Sequence, residues 1–115
     1  MYPRVRSRIT TEIEVEGQER AVLGILTDLS MGGCYVETSA MLLPGSKLKL
    51  TFSVDRTPIA LHSEVVRMDM GIGGALKFSE STHEVRTALQ HALDHLASLE
   101  TKADRQRGQN AAAGK

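Results

Sequence analysis

Two segments of the chain alternate strictly between side chains suited to a core and polar side chains. From Ile9 to Val15 every second residue is isoleucine, threonine or valine, and the residues between them are threonine and glutamate. From Leu48 to Val54 the alternation repeats, with threonine, lysine and serine at the polar positions. A period of two residues is typical of a strand with one buried and one solvated face. The sequence therefore predicts a mainly β protein.

Turn signals divide the first part of the chain into six predicted strands. Hairpin turns or flexible returns are indicated by Gly17-Gln18, Pro44-Gly45, Asp55-Arg56 and the glycine-rich run from Gly71 to Gly74. The strands between them are predicted near residues 9–15, 20–29, 34–38, 48–54, 59–68 and 75–78. Six short strands at hairpin spacing favour a small antiparallel barrel or sandwich.

The pattern changes to a helical one after residue 80. Ser81 or Thr82 is placed to cap a helix, and Glu84 adds an acidic group to its first turn. One apolar stripe follows at helical spacing: Val85, Leu89, Ala92, Leu96 and Leu99. The helix is predicted to end near Glu100 or Lys102.

The last residues are polar and rich in alanine and glycine. They show no periodic pattern, which is typical of disorder. We predict one domain over residues 1–100 and a disordered tail over residues 101–115. A length of 115 residues suits a single domain that can support its own core.

Composition limits the partners and the compartment. The formal net charge is zero and the chain has no tryptophan, which argues against a nucleic-acid binder with a broad basic surface or stacked bases. The single cysteine, Cys34, cannot form an internal disulfide and fits a reducing compartment. No signal peptide and no apolar run of about 20 residues is visible. We expect a cytoplasmic protein without a membrane span.

Two polar clusters are the candidates for a binding site. The first is Arg4-Val5-Arg6-Ser7-Arg8, and the second is the turn Asp28-Leu29-Ser30-Met31-Gly32-Gly33. Arginine can grip phosphates and can read the acceptor edge of guanine. In a functional reading, Asp28 accepts from guanine, Ser30 donates to a phosphate and Gly33 lets the ligand approach. In a structural reading, the same residues only fix a turn, and the glycines only permit positive φ.

The other candidates for chemistry are weaker. His91 and His95 lie four residues apart on the predicted helix, but no third ligand accompanies them, so we predict no metal site. Cys34 is predicted to be a small buried hydrophobe. Since no nucleophile–base pair and no catalytic carboxylate pair is evident, we do not expect an enzyme.

Taken together, the two polar clusters and the flanking strands resemble the PilZ domain family, which binds cyclic di-GMP. That family carries an RxxxR arm followed by a D/NxSxxG turn. Arg4 and Arg8 match the first spacing, and Asp28, Ser30 and Gly33 match the second. The strand after the turn and the run from Gly71 to Phe78 also resemble the family, and the resemblance covers residues 2–99.

A second alignment of the arginine arm is open. In many members a Tyr/Phe-Pro-Arg-Val-like segment contains the second arginine of the pair. If Tyr2-Pro3-Arg4-Val5 is that segment, Arg4 is the second arginine and the first falls before Met1.

The resemblance implies a six-stranded barrel with a C-terminal helix, of the split-barrel type, and no cofactor. The implied function is a cyclic di-GMP receptor that transmits binding to an unknown downstream protein or domain. Ligand contacts are then expected from Arg4, Arg6, Arg8, Asp28, Ser30 and Gly33, with an arginine arm that closes over the ligand. The alternative is a PilZ-like adaptor that binds proteins and no nucleotide. An RNA-binding barrel is disfavoured by the zero net charge.

Overall fold

Six antiparallel strands and one long helix make up the protein. The computed structural model describes the backbone of residues 4–113 and the side chains of residues 4–100. The strands are β1 (Val5–Val15), β2 (Val22–Leu29), β3 (Gly33–Glu37), β4 (Lys47–Val54), β5 (Thr57–Asp69) and β6 (Gly73–Phe78), followed by the helix α1 (His83–Ala113).

The strands close into a barrel in the order β1-β2-β3-β6-β5-β4, with β4 paired to β1. The predicted six-stranded barrel with a C-terminal helix is confirmed. Four of the five chain-consecutive strand pairs are hydrogen-bonded neighbours, and the exception is β3 and β4. The connection over residues 38–46 takes the chain from β3 to β4, and β6 later pairs with β3.

The alternating segments supply the core, as their period predicts. In β4 the apolar residues Leu48, Leu50, Phe52 and Val54 are all buried, whereas the polar residues between them are exposed or half-buried. Ile13 of β1 is fully buried. On the outside of the same strand pair, Lys49 Nζ lies 3.1 Å from Glu14 Oε2. Both side chains are largely in solvent, so this ion pair contributes at most about 1 kcal/mol.

Three irregularities interrupt the ladders. The register shifts between Arg6 and Ile9 in β1, between Leu26 and Asp28 in β2, and between Val65 and Arg67 in β5. Each bulge inserts one extra residue, which bends the strand and increases its twist. The bulge in β1 explains why the sequence pattern predicted a strand only from Ile9, although pairing with β2 begins at Val5.

The helix starts as predicted and ends later. Thr82 is the cap, since the Val85 amide donates to Thr82 Oγ1 at 3.2 Å. The apolar stripe packs on the barrel except at Leu99, whose side chain is 47 % exposed. Leu93, which is not part of the stripe, is also buried. The predicted end near Glu100 or Lys102 is wrong, because the helix continues to Ala113.

The physical reason for the longer helix is local propensity. Residues 103–113 include four alanines, two arginines and two glutamines, which favour a helix without tertiary contacts. The apolar stripe ends at Leu99, so periodicity could not locate this end. The division into a domain of residues 1–100 and a separate tail stays a prediction, and residues 114–115 lie outside the described range. Within residues 4–113, no helix has the length and apolar character needed to cross a bilayer.

Replacing Thr82 by alanine is expected to destabilise the protein by about 1 kcal/mol, because the first turn loses its side-chain acceptor. Urea unfolding followed by circular dichroism measures this change. Ser81→Ala is the matched control, since it removes a neighbouring hydroxyl and leaves the cap in place. Equal stability of Thr82→Ala and wild type would contradict the assignment of the cap.

Candidate functional site

A row of side chains crosses five neighbouring strands on the outer face of the barrel. Strand pairing aligns them in this order: Arg6, Asp28, Tyr35, Ala75 and Arg67. All five are exposed or half-buried, while the next residues along β2, β3 and β6 point into the core. The row therefore belongs to the surface, and all three bulges adjoin it, in β1, β2 and β5.

A cleft of about 470 Å³ lies over this row. Its lining consists of Arg4, Asp28, Ser30, Gly32, Gly33, Cys34, Tyr35, Val66, Arg67, Ala75, Leu76 and Lys77. Three of these residues are cationic and one is a carboxylate. The cleft therefore suits an anionic ligand that also carries hydrogen-bond donors for a carboxylate.

The six residues expected from the sequence do not all meet in the cleft. Arg4, Asp28, Ser30 and Gly33 line it. Arg6 lies opposite Asp28 across the β1–β2 ladder but does not line the cleft, and neither does Arg8. Both of these side chains are exposed. From Val5 onward the predicted mobile arm is strand β1, while residues 1–3 lie outside the described part.

Ser30 is engaged in the turn itself. Its Oγ accepts from the amides of Gly32 and Gly33, each at 3.2 Å, and lies 3.2 Å from the Gly33 carbonyl oxygen, to which it donates. The Ser30 amide donates to the same carbonyl at 2.9 Å. Ser30 is only 8 % exposed. These bonds are those of the structural reading, in which the serine fixes the turn.

Gly33 has a steric role between two strands. A Cβ atom at this position would lie 2.2 Å from the carbonyl oxygen of Leu76 in β6. Among the glycines of residues 4–113, positive φ occurs at Gly17, Gly45 and Gly71, so the expectation of positive φ in the turn is wrong for Gly32 and Gly33. The close approach of β3 to β6 is what requires glycine here.

Three cleft-lining residues and one supporting carboxylate were not singled out by the sequence: Tyr35, Arg67, Lys77 and Asp69. The Tyr35 hydroxyl donates to Asp69 Oδ2 at 2.7 Å. Arg67 approaches the same carboxylate, with Nε 3.3 Å from Oδ1 and Nη2 3.4 Å from Oδ2. The Arg67 Cζ also lies 6.0 Å from the centre of the Tyr35 ring, at the limit of a cation–π contact.

The pKa values of the tyrosine and the aspartate reflect this pairing. The hydrogen bond from Tyr35, followed by that from Arg67, lowers the pKa of Asp69. The same hydrogen bond raises the pKa of Tyr35, because the phenol is the donor to a carboxylate. Near neutral pH, Asp69 is therefore charged and Tyr35 is protonated, which are the states that the contact needs.

Cys34 forms part of the cleft wall but has no reactive character. It lies in a buried row with Leu29 and Leu76, and its burial raises the pKa of the thiol to about 12. The thiolate is the nucleophilic form, so this cysteine is inert near neutral pH. The prediction of a small buried hydrophobe is confirmed.

A second groove of about 540 Å³ lies between the helix and the β4–β5 hairpin. Histidines 83, 91 and 95 line it together with Asp55 and Glu84. Among the described residues, no cluster of three or more His, Cys, Asp or Glu side chains could hold a metal ion. This groove is larger than the cleft, but it has carboxylates and no arginine or lysine, so it is the less suitable site for an anion.

Comparison with known proteins identifies the family of the chain. A family model described as the PilZ domain matches residues 1–95. The chain belongs to the PilZ domain family. No curated protein matches it.

Solved PilZ structures share the fold at low sequence identity. The PilZ domain of CeSA from a cellulose-synthesising bacterium is 22 % identical, with a TM-score of 0.71, and the match covers 83 % of this chain and 98 % of that one. The PilZ domain of Escherichia coli YcgR, solved with c-di-GMP, is 16 % identical, with a TM-score of 0.73 and coverages of 90 % and 95 %. The Bacillus subtilis inhibitor of motility MotI/DgrA is 18 % identical, with a TM-score of 0.69.

The match to the Bacillus protein is partial. It covers 89 % of this chain but only 51 % of that protein, so this PilZ domain spans about half its length. At these identities the likeness shows the fold alone, the barrel with its helix.

Proposed function

We propose that this PilZ domain is a receptor for cyclic di-GMP. The ligand binds in the cleft over the part of the surface row that consists of Asp28, Tyr35, Ala75 and Arg67, the Asp28–Arg67 row. The observation that carries the proposal is the meeting of three cations with the Asp28–Gly33 turn in one cleft. The family match and the solved complex of the E. coli neighbour with c-di-GMP support the choice of ligand.

Charge favours a dianionic ligand. The ligand has two phosphates, and the lining has Arg4, Arg67 and Lys77 against the carboxylate of Asp28, with Asp69 offsetting part of the Arg67 charge. The carboxylate has a separate task, since it can accept from the N–H groups of a guanine edge. A site with cations alone would hold a simple phosphate equally well, so Asp28 is the residue that gives base selectivity in this proposal.

The backbone of the turn holds this arrangement in place. Ser30 closes the turn through its own hydrogen bonds, and Asp28 is fixed between β1 and β3 by pairing with Arg6 and Tyr35. A contact of Ser30 with a phosphate, and contacts of Arg6 and Arg8 with the ligand, stay predictions. Ligand binding would then favour the rotamers in which the cleft arginines contact the ligand, and a partner would recognise the changed surface.

Titration calorimetry with cyclic di-GMP tests the proposal, with cyclic di-AMP as the control for base selectivity. We expect binding at micromolar ligand, which corresponds to about 8 kcal/mol, and much weaker binding of the adenine analogue. Absence of binding at hundreds of micromolar cyclic di-GMP would refute the receptor function.

The second candidate is a protein-interaction adaptor that binds no nucleotide. Two observations favour it: the Ser30 hydroxyl is committed to the turn, and Arg8 lies outside the cleft. Amide NMR shifts distinguish the two candidates. Ligand-induced shifts in the Asp28–Gly33 turn and at Arg4 support the receptor, whereas unchanged spectra support the adaptor. In either role the domain is a binding module and not an enzyme, and its cytoplasmic location and downstream partner belong to the proposal.

A further inference from the structure

Arg67 occupies an unusual position at the end of the surface row. Its neighbour in the row is Ala75, and Tyr35 follows on the next strand. Because the alanine side chain is small, the Arg67 guanidinium can extend over Ala75 towards the Tyr35 ring, which it approaches to 6.0 Å. The arginine thereby covers part of the cleft floor, while 63 % of its side chain stays accessible.

Asp69 holds this arginine from one side. The carboxylate meets the Nε/Nη2 edge of Arg67, and the Tyr35 hydroxyl donates to the same carboxylate at 2.7 Å. Three side chains from two strands, β3 and β5, thus restrain one another. A guanidinium restrained at one edge keeps its planar face and its Nη1 donors available to a ligand.

The cations of the cleft differ in how much of their charge is available to a ligand. Among residues 4–100, the ion pairs join Arg67 to Asp69 and Lys49 to Glu14, so Arg4 and Lys77 take part in none. The charge of Arg67 is partly neutralised by Asp69, which lowers its attraction for a phosphate. Its flat face is unaffected by this pairing, and such a face stacks well on a purine.

We propose that Arg67, positioned by Tyr35 and Asp69, is a stacking platform for one guanine base of the ligand, and that Arg4 and Lys77 serve the phosphates. This inference rests on the proposed function. Asp28 and Arg67 lie at opposite ends of the Asp28–Arg67 row, three strands apart around the barrel. They therefore act on different parts of one ligand, with Asp28 reading a base edge and Arg67 covering a base face.

The first test compares Arg67→Lys with Arg67→Ala by calorimetry with cyclic di-GMP. Lysine keeps the charge but has no planar face, so both variants are expected to bind about tenfold more weakly than wild type, the range of a lost stacking contact. Arg20→Ala, which removes an exposed arginine between β1 and β2, is the control and is expected to bind like wild type. Thermal unfolding of all variants shows that the fold is kept.

Each result decides between the possibilities. Wild-type affinity of Arg67→Lys would show that the contact is electrostatic and would overturn the platform. Wild-type affinity of Arg67→Ala would show that the Arg67 side chain does not contribute to binding, which would also overturn the platform. If wild-type protein itself does not bind, the receptor function fails and the inference fails with it. A binding wild type with unchanged Arg67 variants overturns the inference alone.

The second test concerns the two positioning residues. Asp69→Asn and Tyr35→Leu free Arg67 without removing it, so each is expected to weaken cyclic di-GMP binding about threefold and to have no further effect in the Arg67→Ala background. If Asp69 instead competes with the ligand for Arg67, Asp69→Asn strengthens binding. That result, or an undiminished effect in the double variants, would overturn the positioning role.

Discussion

Replacing Arg4 by alanine is expected to weaken cyclic di-GMP binding by about 100-fold, the largest effect of any single cleft residue on the affinity. Arg4 is a cationic lining residue outside any ion pair of the described part, so its charge is fully available to a phosphate. Loss of one partner of a desolvated charge pair costs roughly 2–5 kcal/mol, and 100-fold corresponds to about 2.8 kcal/mol. Calorimetry of Arg4→Ala against wild type measures the change.

Arg8→Ala is the matched comparison, because it removes the same charge four residues further along the chain, in β1 and outside the cleft. We expect the affinity of Arg8→Ala for cyclic di-GMP to fall by less than about tenfold, because only the long-range attraction becomes weaker. Equal losses in the two variants would show that Arg4 and Arg8 form the arginine pair of the family, whereas a small loss at Arg8 supports the alignment in which Arg4 is the second arginine. Wild-type affinity of Arg4→Ala would contradict the placement of the ligand.

Replacing Gly33 by alanine is expected to destabilise the fold by about 2–3 kcal/mol, the upper range for overpacking a closely packed site. The new Cβ would lie 2.2 Å from the Leu76 carbonyl oxygen, and this oxygen belongs to a paired strand that cannot move aside without breaking the β3–β6 ladder. The melting temperature is expected to fall by roughly 10–20 °C. Differential scanning calorimetry of the free protein measures it.

Gly74→Ala provides a graded comparison in the neighbouring strand. Its Cβ would lie 3.1 Å from the Arg67 carbonyl oxygen, which requires only a small shift, so we expect a clearly smaller loss of stability. If Gly33→Ala has the melting temperature of wild type, the close approach of β3 and β6 is not what requires glycine at position 33. Close approach of the ligand would then be the reason for the glycine.

The local features of the sequence predicted the strands and the start of the helix. The alternation in β1 and β4 assigns each side chain to the core or to solvent because the period of a strand is two residues. It failed where the period is interrupted, at the β1 bulge between Arg6 and Ile9, and where the apolar stripe has ended, at the helix end beyond Lys102.

The cleft could be predicted only in part. The turn from Asp28 to Gly33 is contiguous in the chain, so its residues could be found together. Tyr35 and Arg67 are 32 positions apart, and nothing in either segment indicates that Ala75 lies between them on a third strand. Asp69 could not be linked to them for the same reason.

The sequence by itself determined six strands, a capped helix and the turn that marks the PilZ family, because periodicity, turn residues and a short motif depend on neighbours in the chain. The tertiary structure alone decided which cations share the cleft, why Gly33 must be glycine and how Arg67 is held. Those properties depend on the register between strands that are far apart in sequence. A shift of one residue in that register would move Arg67 away from Tyr35 and turn its side chain to the other face of the sheet.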